Sequence, residues 1–462
     1  MCGIVGIFGQ DETIYNLLLS LYALQHRGQE GIGIAWEEGG KILSEKKLGF
    51  VSDFARKFAR NISTSIAVGH IRYSTTGKSD LVNIQPIVLN GLDTKVAICH
   101  NGNLVNFFSL RKNLESNGSV FTTDMDTEVI LHLIASAKGD IMSRLKFAVS
   151  RIKGAYSLVM MTPTELIAIR DPFGFRPLCL GKFKESYIVA SETCALDIIG
   201  AEFIREIEAG EIVRISKDGI ISEKFKDSQE KKQCVFELVY FARPDSNVFG
   251  VDVCQARKEF GRTLAREHPA DADIVSPVPD SGLFAAMGFS EESKIPFSYG
   301  LVRSHYVGRT FIEPSSSERS SEIRIKLNPV KGIIKGKRVV LVDDSIVRGS
   351  TSKKIVKLLK EAGAKEVHLR ISSPPFKFPC YYGIDTPSLS ELIASSHSIE
   401  EIKNFLGCDS IGYLSVEGML KSLGKFNSDM SKYFCVACFT GKYPVPPEDA
   451  EFIEQLRLFR NV

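Results

Sequence analysis

Apolar residues near the start run unbroken through residues 4–8 and then recur at helical spacing over residues 13–25, where Ile14, Leu17, Leu18, Leu21 and Leu24 fall on one face. The pattern predicts a buried strand and then an amphipathic helix stopped near Gly28. Strand-like runs follow at residues 32–36, 65–71, 95–100, 155–161, 166–169 and 187–190, with helical patterns at 104–114 and 127–137. Strands and helices come in mixed clusters rather than in strict alternation, which predicts an α+β domain of sheets covered by helices.

Residues 214–233 turn polar and charge-rich, as expected of an exposed hairpin leading into a linker. This places a boundary near residue 230 and divides the chain into domains 2–230 and 231–462. In the second, residues 272–278, 337–342 and 366–371 are continuous apolar runs with helical sequence nearby, the pattern of an α/β domain with a parallel sheet. Residues 313–322 (EPSSSERSSE) are too poor in apolar groups to pack and read as a mobile lid.

The chain has 462 residues, enough for two or three domains at about 150 each. Its 58 Lys and Arg nearly balance its 55 Asp and Glu, which argues against a nucleic-acid coat or a polybasic membrane anchor. No apolar run reaches the roughly 18 residues of a membrane span, and Asp11 and Glu12 follow the start too closely for a signal peptide. The expectation is a cytoplasmic protein acting on small molecules. Ten cysteines without an export signal point to core thiols, metal ligands or nucleophiles rather than to a disulfide framework.

Removal of Met1 would leave Cys2 with both a thiol and a free α-amine, a nucleophile and its base in one residue. Asn101-Gly102 can supply an amide and a main-chain N–H to a tetrahedral oxyanion. Arg72 and Asp126 offer the cation and the anion that an amino-acid substrate needs. Taken singly, each has a plainer reading: a surface ion pair for Arg72, a helix cap for Asp126 and a turn for Asn101-Gly102.

The segments CGI, LQHRGQE, HIRYSTTG, HNGNL and TDMDTE occur in that order. Together they resemble the class II glutamine amidotransferases of the N-terminal-nucleophile type, over about residues 2 to 230. The resemblance implies an αββα sandwich with Cys2 as nucleophile and Asn101 and Gly102 as oxyanion hole. Arg72 and Asp126 would hold the glutamine backbone, and Arg27 would belong to the loop that closes over it.

The most specific segment is Val339 to Ser352, a buried strand, two acids, a small-residue loop and a helix. Successive N–H groups at such a loop and helix start can cradle a phosphate, and the spacing is not that of a P-loop. The run resembles the 5-phosphoribosyl-1-pyrophosphate (PRPP) signature of type I phosphoribosyltransferases. That implies PRPP binding by Asp343, Asp344, Ser345, Ile346, Val347, Arg348, Gly349, Ser350 and Thr351. It also implies one Mg²⁺ at Ser281, Asp343 and Asp344, and a pyrophosphate-side loop at Pro279-Asp280-Ser281-Gly282. Tyr306 to Phe311 resembles the flexible loop that folds over PRPP.

Both halves in one chain, with Tyr240 to Ser246 (YFARPDS), resemble the glutamine PRPP amidotransferase family. The resemblance implies glutamine and PRPP as substrates, ammonia passed between the sites, 5-phosphoribosylamine as product, purine nucleotides as feedback inhibitors, and a homo-oligomer, tetramer or dimer. Arg303-Ser304-His305 departs from the family's basic, Asn, basic triplet, so feedback strength is open.

By chemistry alone, Cys435 and Cys438, a CxxC, with Cys234 and Cys380 suit zinc or an iron–sulfur cluster equally. The resemblance selects a [4Fe-4S] cluster in a structural role. Cys99, Cys179, Cys194, Cys254 and Cys408 read as core residues or bystanders. Rival readings are the same glutaminase with another acceptor, opposed by the PRPP run, and a PRPP-sensing protein without turnover, opposed by the intact set from Cys2 to Asp126.

Overall fold

The computed structural model describes residues 1–9, 12–58, 62–73, 80–91, 95–226, 230–304 and 327–452. The first half contains two antiparallel sheets packed face to face. One has the strand order β11 (Glu202–Glu206), β9 (Cys179–Phe183), β10 (Ser186–Ala190), β1 (Gly3–Phe8), β4 (Ile66–Arg72), β2 (Gly31–Glu38), β3 (Lys41–Leu48). The other runs β13 (Gly219–Lys224), β12 (Glu211–Ser216), β8 (Leu166–Arg170), β7 (Gly154–Met161), β6 (Lys95–Leu104), β5 (Ile87–Asn90).

The continuous apolar run at the start is explained by burial on both faces. Ile4 points into the layer between the sheets with Val68, Cys99 and Val159, whereas Val5 and Ile7 pack beneath helix α1 (Thr13–Ala23). At Gly6 a Cβ would lie 2.5 Å from Val159, so glycine lets the sheets approach. Helices α2 (Val51–Phe58), α3 (Phe107–Ser116), α4 (Asp126–Ser136) and α5 (Ile141–Val149) complete the covering, with α1 and α2 outside the first sheet and α3 to α5 outside the second. The domain is an αββα sandwich.

Periodicity misplaced one element that matters. Strand β6 does not stop at His100 but runs to Leu104, with Asn101 opposite Ser157 and Gly102 opposite Tyr156 on β7. Asn101 and Gly102 therefore stand within a strand rather than on a loop after it, and the helix expected from residue 104 starts at Phe107. Strands β3 and β11 and helix α5 escaped the pattern. β3 is a charge-rich edge strand (KILSEKKL), with little apolar alternation to read.

In the second half, strands Ile274–Pro277, Arg338–Asp343, Glu366–Ile371 and Ser410–Tyr413 form a parallel sheet in that spatial order. Val340 and Val342 face the cluster that includes helices Val253–Glu267 and Leu283–Ser293, while Val339 and Leu341 face Ser350–Glu361 and Ile399–Leu406. Helices on both faces explain why these strands are apolar at every position. Gly261 and Gly288 allow the first two helices to touch, since a Cβ at either would come within 1.9 Å of the other helix's backbone.

The chain ends return to the first domain. Gln233–Cys234 pairs in parallel with Phe434–Cys435, and Asp449 accepts from the Phe108 N–H at 2.8 Å. Among the described residues, no helix is long and apolar enough to cross a membrane. The expected lid at 313–322 and the loop at 306–311 lie outside the described residues, as do Ser74 to Gly77 and His305.

Candidate active sites

Cys2 directly precedes β1 and is buried, its Sγ donating to the Tyr73 carbonyl at 3.4 Å. Met1 shares an apolar cluster with Val105 and Ala155, which places the start of the chain beside the end of β6. Its amino group is fully buried, and burial above all pushes its pKa down to about 5.

On β6, the Asn101 amide is buried and neither its nitrogen nor its oxygen has a hydrogen-bond partner among the described residues. A buried amide left unpaired is costly, and here it leaves both a donor and an acceptor available. Gly102 has φ +154°, and a Cβ there would sit 2.0 Å from the Ala155 carbonyl. Only glycine fits.

Arg72 ends β4 fully buried, Nη1 donating to the Asn83 carbonyl at 2.8 Å and meeting Met125 Sδ at 3.1 Å. Asp126 follows Met125 at the start of α4, its Oδ2 accepting from the Leu104 N–H at 2.9 Å. Burial raises this carboxyl, but His100, Leu104 and Thr127 outweigh it and hold the pKa below its ordinary value. Cys2 thus touches Tyr73 beside Arg72, Arg72 meets Met125 beside Asp126, and Asp126 reaches the end of β6, the strand that carries Asn101 and Gly102.

Arg27 belongs to a short 3₁₀ turn, Gln25–Arg27, and its side chain is directed inward. Nε donates to the Cys2 carbonyl at 2.8 Å, and the guanidinium pairs with Glu192 and Glu237. Burial works against its charge, but Glu237 and Glu192 hold the pKa above the ordinary value. Glu192 also contacts His26 Nε2 at 2.8 Å and accepts from the Arg243 N–H and the Ser246 hydroxyl. Arg176 meets Glu237 at 3.4 Å and donates to the Tyr382 carbonyl from Nε at 3.0 Å and Nη2 at 2.6 Å. Glu192, Glu237 and Arg176 were missed by sequence reading because lone charges in apolar surroundings carry no motif. The only hint was their placement inside otherwise buried runs.

The second constellation lies at the carboxyl edge of the parallel sheet, where open α/β sheets bind ligands. Asp343 ends its strand, Asp344 follows, and both are buried. Burial, and for Asp343 the neighbouring Asp344 charge, raise both carboxyls above the ordinary value, while the Ser281 hydroxyl works the other way on each. Two adjacent carboxyls beside a Ser hydroxyl are hard oxygen donors, a set that fits Mg²⁺.

Ser345 donates to Asp344, and Ile346 turns its side chain into the core, leaving only its main chain for a ligand. Val347 is half-buried, and Arg348 is half exposed and paired with Glu391 at 2.9 Å. Gly349, at φ +76°, turns the chain into helix Ser350–Glu361, with Ser350 and Thr351 exposed on its first turn. Gly282 packs so tightly that a Cβ would lie 2.2 Å from the Val342 carbonyl, bringing the Ser281 loop against the acids. A cavity of about 540 Å³ has Arg27, Gln29 and Tyr73 on its wall as well as Asp280, Ser281 and Arg303, with Tyr240 and Arg257 also lining it.

Cys234 and Cys435 are direct partners in the two-stranded parallel pair, and Cys380 and Cys438 share their buried cluster. Burial first, then the mutual proximity of these sulfurs, raises the Cys435 and Cys438 thiols; burial raises Cys234 to about 11. Buried Arg176 lies near Cys234 and Cys380, a fixed positive charge beside the sulfurs. No group of three or more His, Cys, Asp or Glu among the described residues stands in the geometry of a single metal ion. A four-iron cube spreads its thiolates more widely than one ion does, and four buried sulfurs beside a guanidinium fit that group.

A glutamine amidotransferase domain model matches residues 70–197, and a phosphoribosyl transferase domain model matches residues 261–372. The chain is 47% identical over 446 residues to amidophosphoribosyltransferase of Bacillus subtilis, covering 96% of this chain and 94% of that protein. It is 50% identical over 452 residues to chloroplastic amidophosphoribosyltransferase 2 of Arabidopsis thaliana, covering 97% and 80%. The solved B. subtilis glutamine PRPP amidotransferase, complexed with ADP and GMP, superposes with a TM-score of 0.91 at 46% identity, over 96% of this chain and 98% of that one. A structure described as the allosteric regulatory enzyme of purine biosynthesis superposes at 0.94, with 45% identity and 99% of each chain covered.

Proposed function

This chain belongs to the amidophosphoribosyltransferase family, and from that premise we propose how its two halves convert PRPP, glutamine and water into 5-phosphoribosylamine, glutamate and pyrophosphate, the first step of purine biosynthesis. In the first half, the Cys2 thiolate attacks the glutamine amide carbon, and the oxyanion is met by the Asn101 amide and the Gly102 N–H. Ammonia leaves, and water hydrolyses the thioester to glutamate. The α-amine that Cys2 gains when Met1 is removed takes and returns the proton. Arg72 binds the substrate carboxylate and Asp126 its ammonium. Arg27 fixes the backbone of Cys2, which adds a positioning role to the loop role expected of it.

In the second half, the loop from Ser345 to Thr351 holds the 5-phosphate, and Asp343 and Asp344 hold the ribose. Ammonia attacks C1 and pyrophosphate departs. The transition state at C1 needs a held leaving group more than a protein nucleophile, so binding and charge carry this step. Asp343, Asp344 and Ser281 would hold Mg²⁺, which neutralises pyrophosphate charge. Cys234, Cys380, Cys435 and Cys438 would hold a [4Fe-4S] cluster, placing the protein in the cluster-bearing branch and supplying cross-linking rather than chemistry. Purine nucleotides are the expected inhibitors at the phosphate site, and a homo-oligomer in the cytoplasm is the expected form.

The observation that carries this reading is the single cavity whose wall includes both Arg27 and Tyr73 near Cys2 and Ser281 near the acids. The test is anaerobic turnover with glutamine, Mg²⁺ and PRPP, following glutamate and pyrophosphate. Equal, mutually dependent release is expected. Glutamate release without PRPP-dependent pyrophosphate would refute the assigned acceptor.

A further inference from the structure

We infer that Glu237 is a positioning residue of the glutamine half-reaction, a carboxylate beyond the first domain that sets Cys2 by holding Arg27. The inference rests on the reading of Cys2 as the nucleophile. Arg27 Nε donates to the Cys2 carbonyl at 2.8 Å, so whatever fixes the guanidinium also fixes the backbone that carries the thiol. Glu237 grips the far side in a fork, accepting from Nη1 at 3.0 Å and from Nη2 at 2.9 Å. A two-bond fork restrains the plane of the guanidinium as well as its position. Both side chains are wholly buried, so neither can turn away without giving up two charge-assisted hydrogen bonds that no water replaces.

Glu192, the other partner of Arg27, belongs to the same half as Cys2, whereas Glu237 belongs to the segment that leads into the second half. Glu237 is braced from behind by Arg176, which is anchored on the Tyr382 carbonyl. It also opens a π-helical turn, Glu237–Phe241, of the kind found at functional sites. That turn is fastened by Arg257, which donates to the carbonyls of Leu238, Tyr240 and Ala242 at 2.9, 2.9 and 2.7 Å. Arg176 belongs to the first half, but its anchor Tyr382 and the fastening Arg257 belong to the second, so the carboxylate that sets Arg27 is tied to that half and the nucleophile's position depends on it in part.

The test compares the holoenzyme with Glu237→Gln, which keeps the side chain's shape and removes its charge. Glutamine-dependent kcat should fall about ten- to a hundredfold with KM little changed, and Cys2 alkylation by iodoacetamide should slow, because small misplacement of a nucleophile is costly. Synthesis from PRPP and added ammonia should stay within about twofold, since that route bypasses Cys2. Glu237→Asp, which keeps the charge and shortens the reach, should show the same split more weakly and serves if the Gln variant does not fold. Equal loss of the glutamine and ammonia rates, or an unchanged glutamine rate, would overturn the inference. An unsubstituted enzyme without glutamine-dependent turnover would instead refute the reading of Cys2.

Discussion

Gly383 of the second half lies against Gly102 of the first, so closely that a Cβ on Gly383 would come within 2.9 Å of the Gly102 carbonyl carbon. Beside this contact, the Asn103 amide donates to the Tyr381 carbonyl at 3.0 Å. The proposed oxyanion strand is thus backed by the segment that follows Cys380. Because Gly383 also has φ +105°, Gly383→Ala should add roughly 1–3 kcal/mol of backbone strain and displace Gly102. A lower melting temperature is expected, with glutamine-dependent turnover reduced more than ammonia-dependent turnover. Equal rates in the variant and the parent would show that the contact does not shape the oxyanion site.

Cys2→Ala removes the thiol and leaves the second site untouched. Glutamate release should fall below about 1% of the parent, while pyrophosphate release with added ammonia continues. Loss of both in a folded protein would count against separate sites.

Asp343 and Asp344 have carboxyls raised by burial and, for Asp343, by its neighbour's charge. A group whose folded pKa lies above its unfolded value contributes stability that is present at low pH and lost as pH rises through the folded pKa. Without a cation the pair should therefore cost stability as pH rises above about 4, the ordinary carboxylate range. Mg²⁺ with PRPP should raise the melting temperature more at about pH 8 than at about pH 5. Asp343→Asn should lose this ligand shift. A shift independent of both pH and Asp343 would contradict the assignment.

Cys435→Ser removes one sulfur from four. The parent, purified anaerobically, should carry about four iron and four sulfide per chain, with broad visible absorbance. The variant should lose the iron and unfold at lower temperature. A parent containing zinc, or no metal, would refute the cluster.

Glu128 accepts from the N–H and hydroxyl groups of Thr122 and Thr123 and pairs with His132, at the start of α4 two residues from Asp126. Burial opposes its charge, but these partners lower its pKa to about 2. A depressed carboxyl contributes stability above its unfolded pKa, lost as pH falls toward the folded value. Glu128→Gln should therefore destabilise the protein by about 1 kcal/mol at neutral pH, the shift being discounted for solvent screening. The difference should vanish in acid unfolding between about pH 4.5 and 2. A pH-independent difference would mean that the contribution is not electrostatic.

Local pattern was enough for what depends on local pattern. The run at residues 4–8, the strand ending at Asp343 and the polar hairpin near residue 220 each announce themselves by burial and turn chemistry that neighbouring residues dictate. Paired acids followed by Gly349 and a helix likewise read as a phosphate loop without any distant contact. Tertiary structure alone decided that β6 continues through Asn101 and Gly102, because pairing with β7 supplies hydrogen bonds that no local signal encodes. It also decided that Arg27 turns inward. One guanidinium is held there by Cys2, Glu192 and Glu237, which lie 25, 165 and 210 residues away along the chain. A charge is stable in the interior only when opposite charge and hydrogen bonds are brought to it, and only the folded chain assembles those partners.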